Sequence, residues 1–338
     1  MPREQTRCTS REPNAPHLSQ DDRQPMNTEA AAALCSQITD NVEGVIVGKR
    51  PVITKAIVAL IAGGHILIED VPGVGKTMLA RALAVSIGGR FQRIQFTPDL
   101  LPTDVTGVSI YNQRTMEFEF RLGPVFADIV LADEINRASP RTQSAVLEAM
   151  EERQVTQDGK TYPLPETFMV IATDNPIEYE GVYPLPESEL DRFLLRTEIG
   201  YPSRDDEVIA VRRQLVEHPI TTLKPVASAD EVRELRLVAR HCHVADEVYQ
   251  YVMDIIQATR ASEAFHLGAC PRATVALVHC AQALATVRGR DFVSPDEVKE
   301  LAPDVLSHRV ILRPEARMNG QSAVQCICRI LEQTGSPG

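Results

Sequence analysis

The sequence predicts an α/β protein: a core built on a parallel, doubly wound sheet, followed by a C-terminal all-α domain. Three observations carry this expectation. Continuous apolar runs at 65–69, 128–132 and 167–172 have the composition of parallel strands covered on both faces. Helical spacing separates several of the strand-like segments, the alternation expected of a doubly wound sheet. Beyond residue 201 strand signals vanish, and Ser228-Ala229-Asp230-Glu231 and Ser294-Pro295-Asp296-Glu297 read as helix capping boxes.

Composition narrows the class. At roughly 100–200 residues per domain, 338 residues make about two domains. Apolar runs such as 129–132 are far too short to cross a bilayer, and no apolar signal segment follows a charged start. Membrane insertion is therefore not expected. Lys plus Arg number 35 against 46 Asp plus Glu, a net charge of −11. Nucleic-acid affinity rests on many cationic phosphate contacts, so this balance argues against a general nucleic-acid partner. Seven scattered cysteines fit a reducing cytoplasm better than a disulfide scaffold.

In chain order, residues 1–27 are rich in Pro, Arg, Gln, Asp and Asn without apolar period and read as a disordered leader. The core spans 28–200, with strands at 65–69, 91–96, 128–132, 167–172 and 193–199. The segment 78–87 is a helix stopped at Gly88-Gly89, and Ser139-Pro140 reads as a cap residue and first-turn proline opening another. Two stretches interrupt the scheme. Residues 108–120 alternate, placing Met116, Phe118 and Phe120 on one face, and Asp158-Gly159 between 155–157 and 160–162 is a type I′ hairpin signal. Both are expected as inserted β-hairpins. Residues 201–330 form the helical domain, of about four helices, with 248–259 and 273–287 helically spaced, and 331–338 a flexible tail.

The sharpest motif is Asp70-Val71-Pro72-Gly73-Val74-Gly75-Lys76-Thr77, which follows a strand and precedes a helix, the context of a P-loop. Successive N–H groups of such a turn form a nest for phosphate oxygens, reinforced by the helix dipole. Lys76 is placed for the β/γ-phosphates and the Thr77 hydroxyl for Mg²⁺. Asp70 stands where the motif has Gly. Residues 129–132 then end in Asp133-Glu134: Asp133 to hold Mg²⁺, Glu134 to polarise the attacking water. The strand 170–173 leads through Asp174 to Asn175, an amide suited to γ-phosphate and lytic water. Alone, Asn175-Pro176 has a lesser alternative reading as a turn initiator.

Together these segments resemble the MoxR group of AAA+ ATPases. The resemblance also runs through Phe96-Thr97-Pro98-Asp99-Leu100-Leu101-Pro102, Gly123-Pro124-Val125-Phe126, Asp133-Glu134-Ile135-Asn136-Arg137-Ala138, Tyr183-Pro184-Leu185-Pro186-Glu187, Leu190-Asp191-Arg192-Phe193 and Gly268-Ala269-Cys270-Pro271-Arg272-Ala273, covering roughly 45–316. Asp174 and Cys270 depart mildly from its Gln and Ser. It implies a five-stranded parallel sheet of order 5-1-4-3-2, with the hairpins as the helix-2 insert and the pre-sensor-1 hairpin facing a ring pore. It makes Arg192 an arginine finger offered to a neighbouring subunit, Arg272 the sensor-2 arginine, and Val47 and Gly48 neighbours of the adenine. The implied nucleotide contacts are Val47, Gly48, residues 70–78 through Met78, and Asp133, with ATP and Mg²⁺ as cofactors. Without the family, Arg192 reads as an ion-pair partner of Asp191 or Glu189. Arg137 and Arg141 are candidates for a subunit interface.

The expected function is ATP hydrolysis in a hexameric ring that drives remodelling, maturation or cofactor insertion of protein clients. The resemblance adds a separate von Willebrand factor A (VWA) domain partner. Rivals are a lone P-loop kinase or GTPase, a nucleic-acid-translocating motor of the helix-2-insert clade, and a nucleotide-gated scaffold. No Asn-Lys-x-Asp guanine motif occurs, the −11 charge opposes the translocase, and Glu134 with Asn175 opposes the scaffold. His241-Cys242-His243 and the Cys326/Cys328 pair, at i and i+2 on a helix, point apart and carry no metal expectation.

Overall fold

The structure, a computed structural model, describes residues 26–175, 181–216 and 218–337. Residues 1–25 of the expected leader and Pro176 of the Asn175-Pro176 motif lie outside the described residues. Asn27 caps the first helix, its side chain accepting from the Ala30 N–H at 2.8 Å.

Two helices, α1 (Thr28–Glu43) and α2 (Arg50–Ala62), precede the sheet. α2 buries nearly every face from Val52 to Ile61 and ends on left-handed Gly63. Then follow β1 (Ile66–Glu69), α3 (Lys76–Ser86), β2 (Phe91–Gln95), α4 (Pro102–Thr106), the hairpin β3 (Gly107–Asn112) and β4 (Glu117–Leu122), and β5 (Ile129–Asp133). After a 3₁₀ turn come α5 (Pro140–Glu152), the hairpin β6 (Gln154–Gln157) and β7 (Lys160–Pro163), β8 (Met169–Asp174), α6 (Glu187–Leu190) and β9 (Leu195–Thr197).

The five long-range strands pair in parallel in the order β2-β5-β8-β1-β9. Numbered among themselves, they give the implied 5-1-4-3-2. Alternate side chains serve two cores, one on each face, as a sheet covered on both sides requires. Ile66, Ile68, Ile129, Leu131, Met169 and Ile171 pack with α1, α2, α3 and the helical domain. Leu67, Val130, Ala132, Val170 and Ala172 pack with Phe96, Val146, Leu147, Phe168 and Phe193.

Both hairpins form. Asp158 and Gly159 take positive φ of 51° and 73°, the conformation a type I′ turn demands. Met116 is not a strand residue: it sits in the tight turn at φ 59°, and the strand begins at Glu117. Phe120 stacks on Tyr162 with ring centroids 4.4 Å apart, and Ser109 bonds Asp158, so the hairpins brace each other. The root of the first hairpin requires glycine. A Cβ on Gly107, at φ +110°, would lie 2.3 Å from the Arg121 carbonyl oxygen.

The C-terminal part corrects two expectations. It holds α7 (Arg204–Val216), α8 (Pro219–Thr222), α9 (Ala229–His241), α10 (Asp246–Ala261), β10 (Phe265–Leu267), α11 (Pro271–Val287), α12 (Pro295–Leu306), β11 (Ile311–Leu312), α13 (Pro314–Met318) and α14 (Ala323–Gln333). There are thus more than four helices, and β10 pairs antiparallel with β11. Strands of three and two residues are too short to show alternation in the sequence. The two expected boxes form, with Glu231 and Glu297 each reaching back to the backbone N–H of its serine at 2.8 and 2.9 Å. Ser139 disappoints as a cap: its hydroxyl lies 3.2 Å from the Thr142 hydroxyl instead of bonding the helix backbone. Among the described residues, no helix is long and apolar enough to cross a membrane.

His65, at the mouth of β1, is buried. Its Nδ1 accepts from the Val170 N–H at 2.9 Å and its Nε2 faces the Met150 carbonyl at 3.2 Å, which defines a neutral tautomer. Burial, with Arg153 nearby, pushes the imidazole down to about 3. The unfolded chain therefore takes up a proton near the ordinary 6.5 that the fold refuses. This stability is fully present above that value and is lost as pH falls towards the folded one. Unfolding midpoints in denaturant, followed from about pH 7 to about pH 4, should fall, and His65→Gln should flatten the slope by about one proton, or about 1.4 kcal/mol per pH unit. Buried His308, also held below its ordinary value by burial, keeps a residual slope.

Candidate functional site

The carboxyl ends of β1, β5 and β8 lie side by side, so the loops leaving them converge at one edge, where α/β sheets bind ligands. After β1 the chain turns through Gly73 and Gly75, both left-handed at φ +86° and +97°, and enters α3 at Lys76. Only glycine adopts such angles freely, and the turn points its N–H groups at one concavity. Lys76 Nζ donates to the Asp70 carbonyl at 2.6 Å. Burial lowers its pKa, opposed by Asp70, Asp133, Asp174 and Glu134.

Across the concavity, β5 ends in the acidic pair. The Thr173 hydroxyl donates to Asp133 Oδ1 at 2.7 Å and accepts the Glu134 N–H at 2.8 Å. Arg93 from β2 also holds Asp133, at 3.0 and 2.6 Å. Glu134 sits in the left-handed region at φ 57°, a strained conformation for a residue with a Cβ and one concentrated at functional sites. Its carboxylate accepts from Gln95 at 2.8 Å and Arg137 at 3.1 Å. Asn175, buried, leaves the end of β8. Its neighbour Asp174 has its pKa raised, chiefly by burial.

These groups enclose a cleft of about 320 Å³, lined by Pro72, Gly73, Gly75, Lys76, Thr77, Met78, Arg93, Asp133, Glu134 and Asn175. A roomier cleft of about 590 Å³ between the start of α1 and α9 has no phosphate nest, so chemistry rather than size selects the site. The Thr77 hydroxyl and Asp133 carboxylate open onto the same space as the nest. Two hard oxygen donors beside phosphate-binding amides suit Mg²⁺.

Several expected residues do not line this cleft. Val47, Gly48, Asp70, Val71 and Val74 are not among the cleft's lining residues. Asp70 turns away because its carboxylate accepts the Ile199 and Gly200 N–H groups at 2.7 and 2.6 Å. Arg192 and Arg272 line a separate cleft of about 570 Å³ between the core and α11. Arg192 pairs there with Glu151 at 3.1 Å rather than with Asp191 or Glu189. Asp191 is taken by Arg309 at 2.8 Å, with Arg272 more loosely at 3.8 Å. Arg137, considered for a subunit interface, reaches Glu134 in its own subunit, while Arg141 is exposed.

Sequence reading missed Arg93, Gln95 and Thr173. The first two alternate along β2, one residue apart from Ile94, which faces the core. Their period of two was a usable signal once β2 was placed beside β5. Thr173 lies within an apolar strand end and shows nothing until β8 is aligned with β5.

Comparison with known proteins follows the same lines. The family model for the ATPase family associated with various cellular activities (AAA) matches residues 65–195, and the AAA lid domain model matches 257–327. The chain is 50% identical over 304 residues to the uncharacterised protein YeaC of Bacillus subtilis, covering 90% of this chain and 95% of that protein. It is 43% identical over 305 residues to the chaperone MoxR1 of Mycobacterium tuberculosis, covering 88% and 80%. A crystal structure of a candidate ATPase from Cytophaga hutchinsonii superposes with a TM-score of 0.87 at 38% identity, covering 92% of this chain and 97% of that one.

The Thr173 hydroxyl serves two partners, so its removal has a defined cost. Thr173→Val keeps the shape but leaves the Glu134 N–H without its partner and Asp133 held by Arg93 alone. Chemical denaturation should show a loss of about 1–3 kcal/mol with the circular dichroism spectrum unchanged.

Proposed function

The chain belongs to the MoxR family of AAA+ ATPases, and from that premise we propose that it hydrolyses ATP at the interfaces of a homo-oligomeric ring to remodel protein clients. The observation that carries this reading is the single cleft that unites the P-loop nest with Asp133, Glu134 and Asn175. In this reading the nest amides and Lys76 bind the phosphates. Thr77 and Asp133 would hold Mg²⁺, which when bound neutralises charge building on the phosphate oxygens. Glu134 orients the attacking water and accepts its proton. Asn175 donates to the γ-phosphate and that water. Gln95 and Arg137 hold the Glu134 carboxylate. Glu134 exchanges these partners for the water when substrate arrives.

Arg192 and Arg272 support catalysis shared between subunits, because both line a cleft other than their own phosphate cleft. Among the described residues each pairs with carboxylates on the core, at 3.1 to 3.9 Å, contacts that a neighbour's γ-phosphate can outcompete. We assign Arg192 as the finger supplied in trans and Arg272 as its companion from the helical domain. The braced hairpins carry the motion to the client. A hexamer, a VWA-domain partner and a cytoplasmic site complete the proposal, resting on the family resemblance, the net charge of −11 and the free cysteines.

Three variants test it. Lys76→Ala should abolish binding of fluorescent ATP analogues; unchanged affinity removes the loop assignment. Glu134→Gln should bind ATP with turnover reduced about 10²–10⁴-fold, as for loss of a general base. Arg192→Ala should bind normally and lose about 10³–10⁵ in turnover, and mixing it with Glu134→Gln subunits should restore part of the rate. Absence of any recovery in the mixture refutes supply from a neighbour.

A further inference from the structure

Between β9 and α7 the chain leaves the nucleotide-binding core for the helical domain, through residues 198–203. Its bend is at Gly200, left-handed at φ +67°. Two opposite charges hold the backbone on either side of that bend. The Asp70 carboxylate accepts the N–H groups of Ile199 and Gly200 through one oxygen, at 2.7 and 2.6 Å. The Lys49 ammonium donates to the carbonyls of Ile199 and Tyr201, at 2.8 and 2.7 Å. Four polar groups across three successive residues are thus satisfied by two side chains. Hydrogen bonds with an ionised partner are the stronger kind, so the bend is fixed rather than free.

Asp70 ties this clamp to the phosphate loop, and Lys49 ties it to the segment before α2. Asp70 opens the P-loop, its other carboxylate oxygen accepts the Val71 N–H at 2.7 Å, and its carbonyl accepts Lys76 Nζ. A phosphate in the nest competes for that ammonium. Its withdrawal frees the Asp70 carbonyl, and the shift passes through the same residue to the hinge amides. Lys49 follows Gly48, whose α-carbon abuts the first turn of α7: a Cβ there would lie 2.1 Å from Asp206 Oδ2.

We propose that Asp70 and Lys49 are positioning residues that tie the occupancy of the phosphate cleft to the angle of the hinge, and so to the placement of Arg272. This explains why a carboxylate stands where a P-loop otherwise has glycine. Asp70 is not a nucleotide ligand; it is the link from loop to hinge. The inference rests on the ATPase reading for its nucleotide but not for hydrolysis.

The test is hydrogen exchange of segment 198–203 in the full chain, with and without ATP, for wild type, Asp70→Gly and Lys49→Met, alongside nucleotide affinity and steady-state kinetics. In wild type, ATP should change the exchange of this segment. In Asp70→Gly, a residue the P-loop accommodates, the segment should lose two charge-assisted hydrogen bonds, exchange at least about tenfold faster and no longer respond to ATP. ATP affinity should stay within about threefold, with the defect in kcat rather than KM. Lys49→Met should reproduce the lost response from the other side of the bend. A hinge that still responds to ATP in both variants overturns the proposal. So does a parallel loss of affinity and hinge order in Asp70→Gly, which would make Asp70 a mere part of the loop's fold. If wild type binds ATP without cleaving it, the hydrolysis reading fails while the exchange experiment still decides this one.

Discussion

Parallel pairing in register is the constraint on which the site depends. Gln95 lies opposite Asp133, and Glu69 opposite Asp174, so the polar residues that end four strands reach the same edge. A slip of one residue would turn each of these side chains to the other face. The two apolar cores prevent the slip, because Ile129 and Leu131 serve one and Val130 and Ala132 the other, and neither set tolerates exchange with polar neighbours. Packing of the sheet is therefore what aims the acidic pair at the phosphate loop.

Carboxylates concentrated at one edge repel one another unless they are paired. In this chain Asp133, Glu134 and Glu69 each have a partner from another strand. Arg93 and Thr173 hold Asp133, Gln95 and Arg137 hold Glu134, and Arg196 holds Glu69. Burial still raises the pKa of Glu69 and of Asp174. The strained φ of Glu134 belongs to the same economy of space: the residue is bent so that its N–H reaches Thr173 while its carboxylate faces the cleft.

The helical domain is held to the core by a different device. Arg309, buried beyond α12, donates to the carbonyls of Asp191, Phe193 and Leu194 as well as to the Asp191 carboxylate. Five guanidinium N–H groups in a planar fork suit such a set of acceptors. One consequence is that Asp191 is unavailable to Arg192, which turns to Glu151 instead. The cluster of arginines and carboxylates beside α11 is thus an outcome of docking, not of spacing along the chain.

Much was legible in the sequence because it is local. A glycine-rich turn between a strand and a helix, an acidic pair after four apolar residues, an Asp-Gly turn and a serine three residues before a glutamate each carry their geometry within a few bonds. The short β10–β11 ladder, the role of Arg93 and Thr173, the direction of Asp70 and the partner of Arg192 were not legible. Each depends on residues from about 40 to more than 120 positions away, whose proximity follows from strand order and domain docking. By itself the sequence determined the elements and the chemical groups that end them. Only the tertiary structure decided which charges meet, since long-range pairing is selected by how the two cores and the helical domain pack, and no local pattern encodes that.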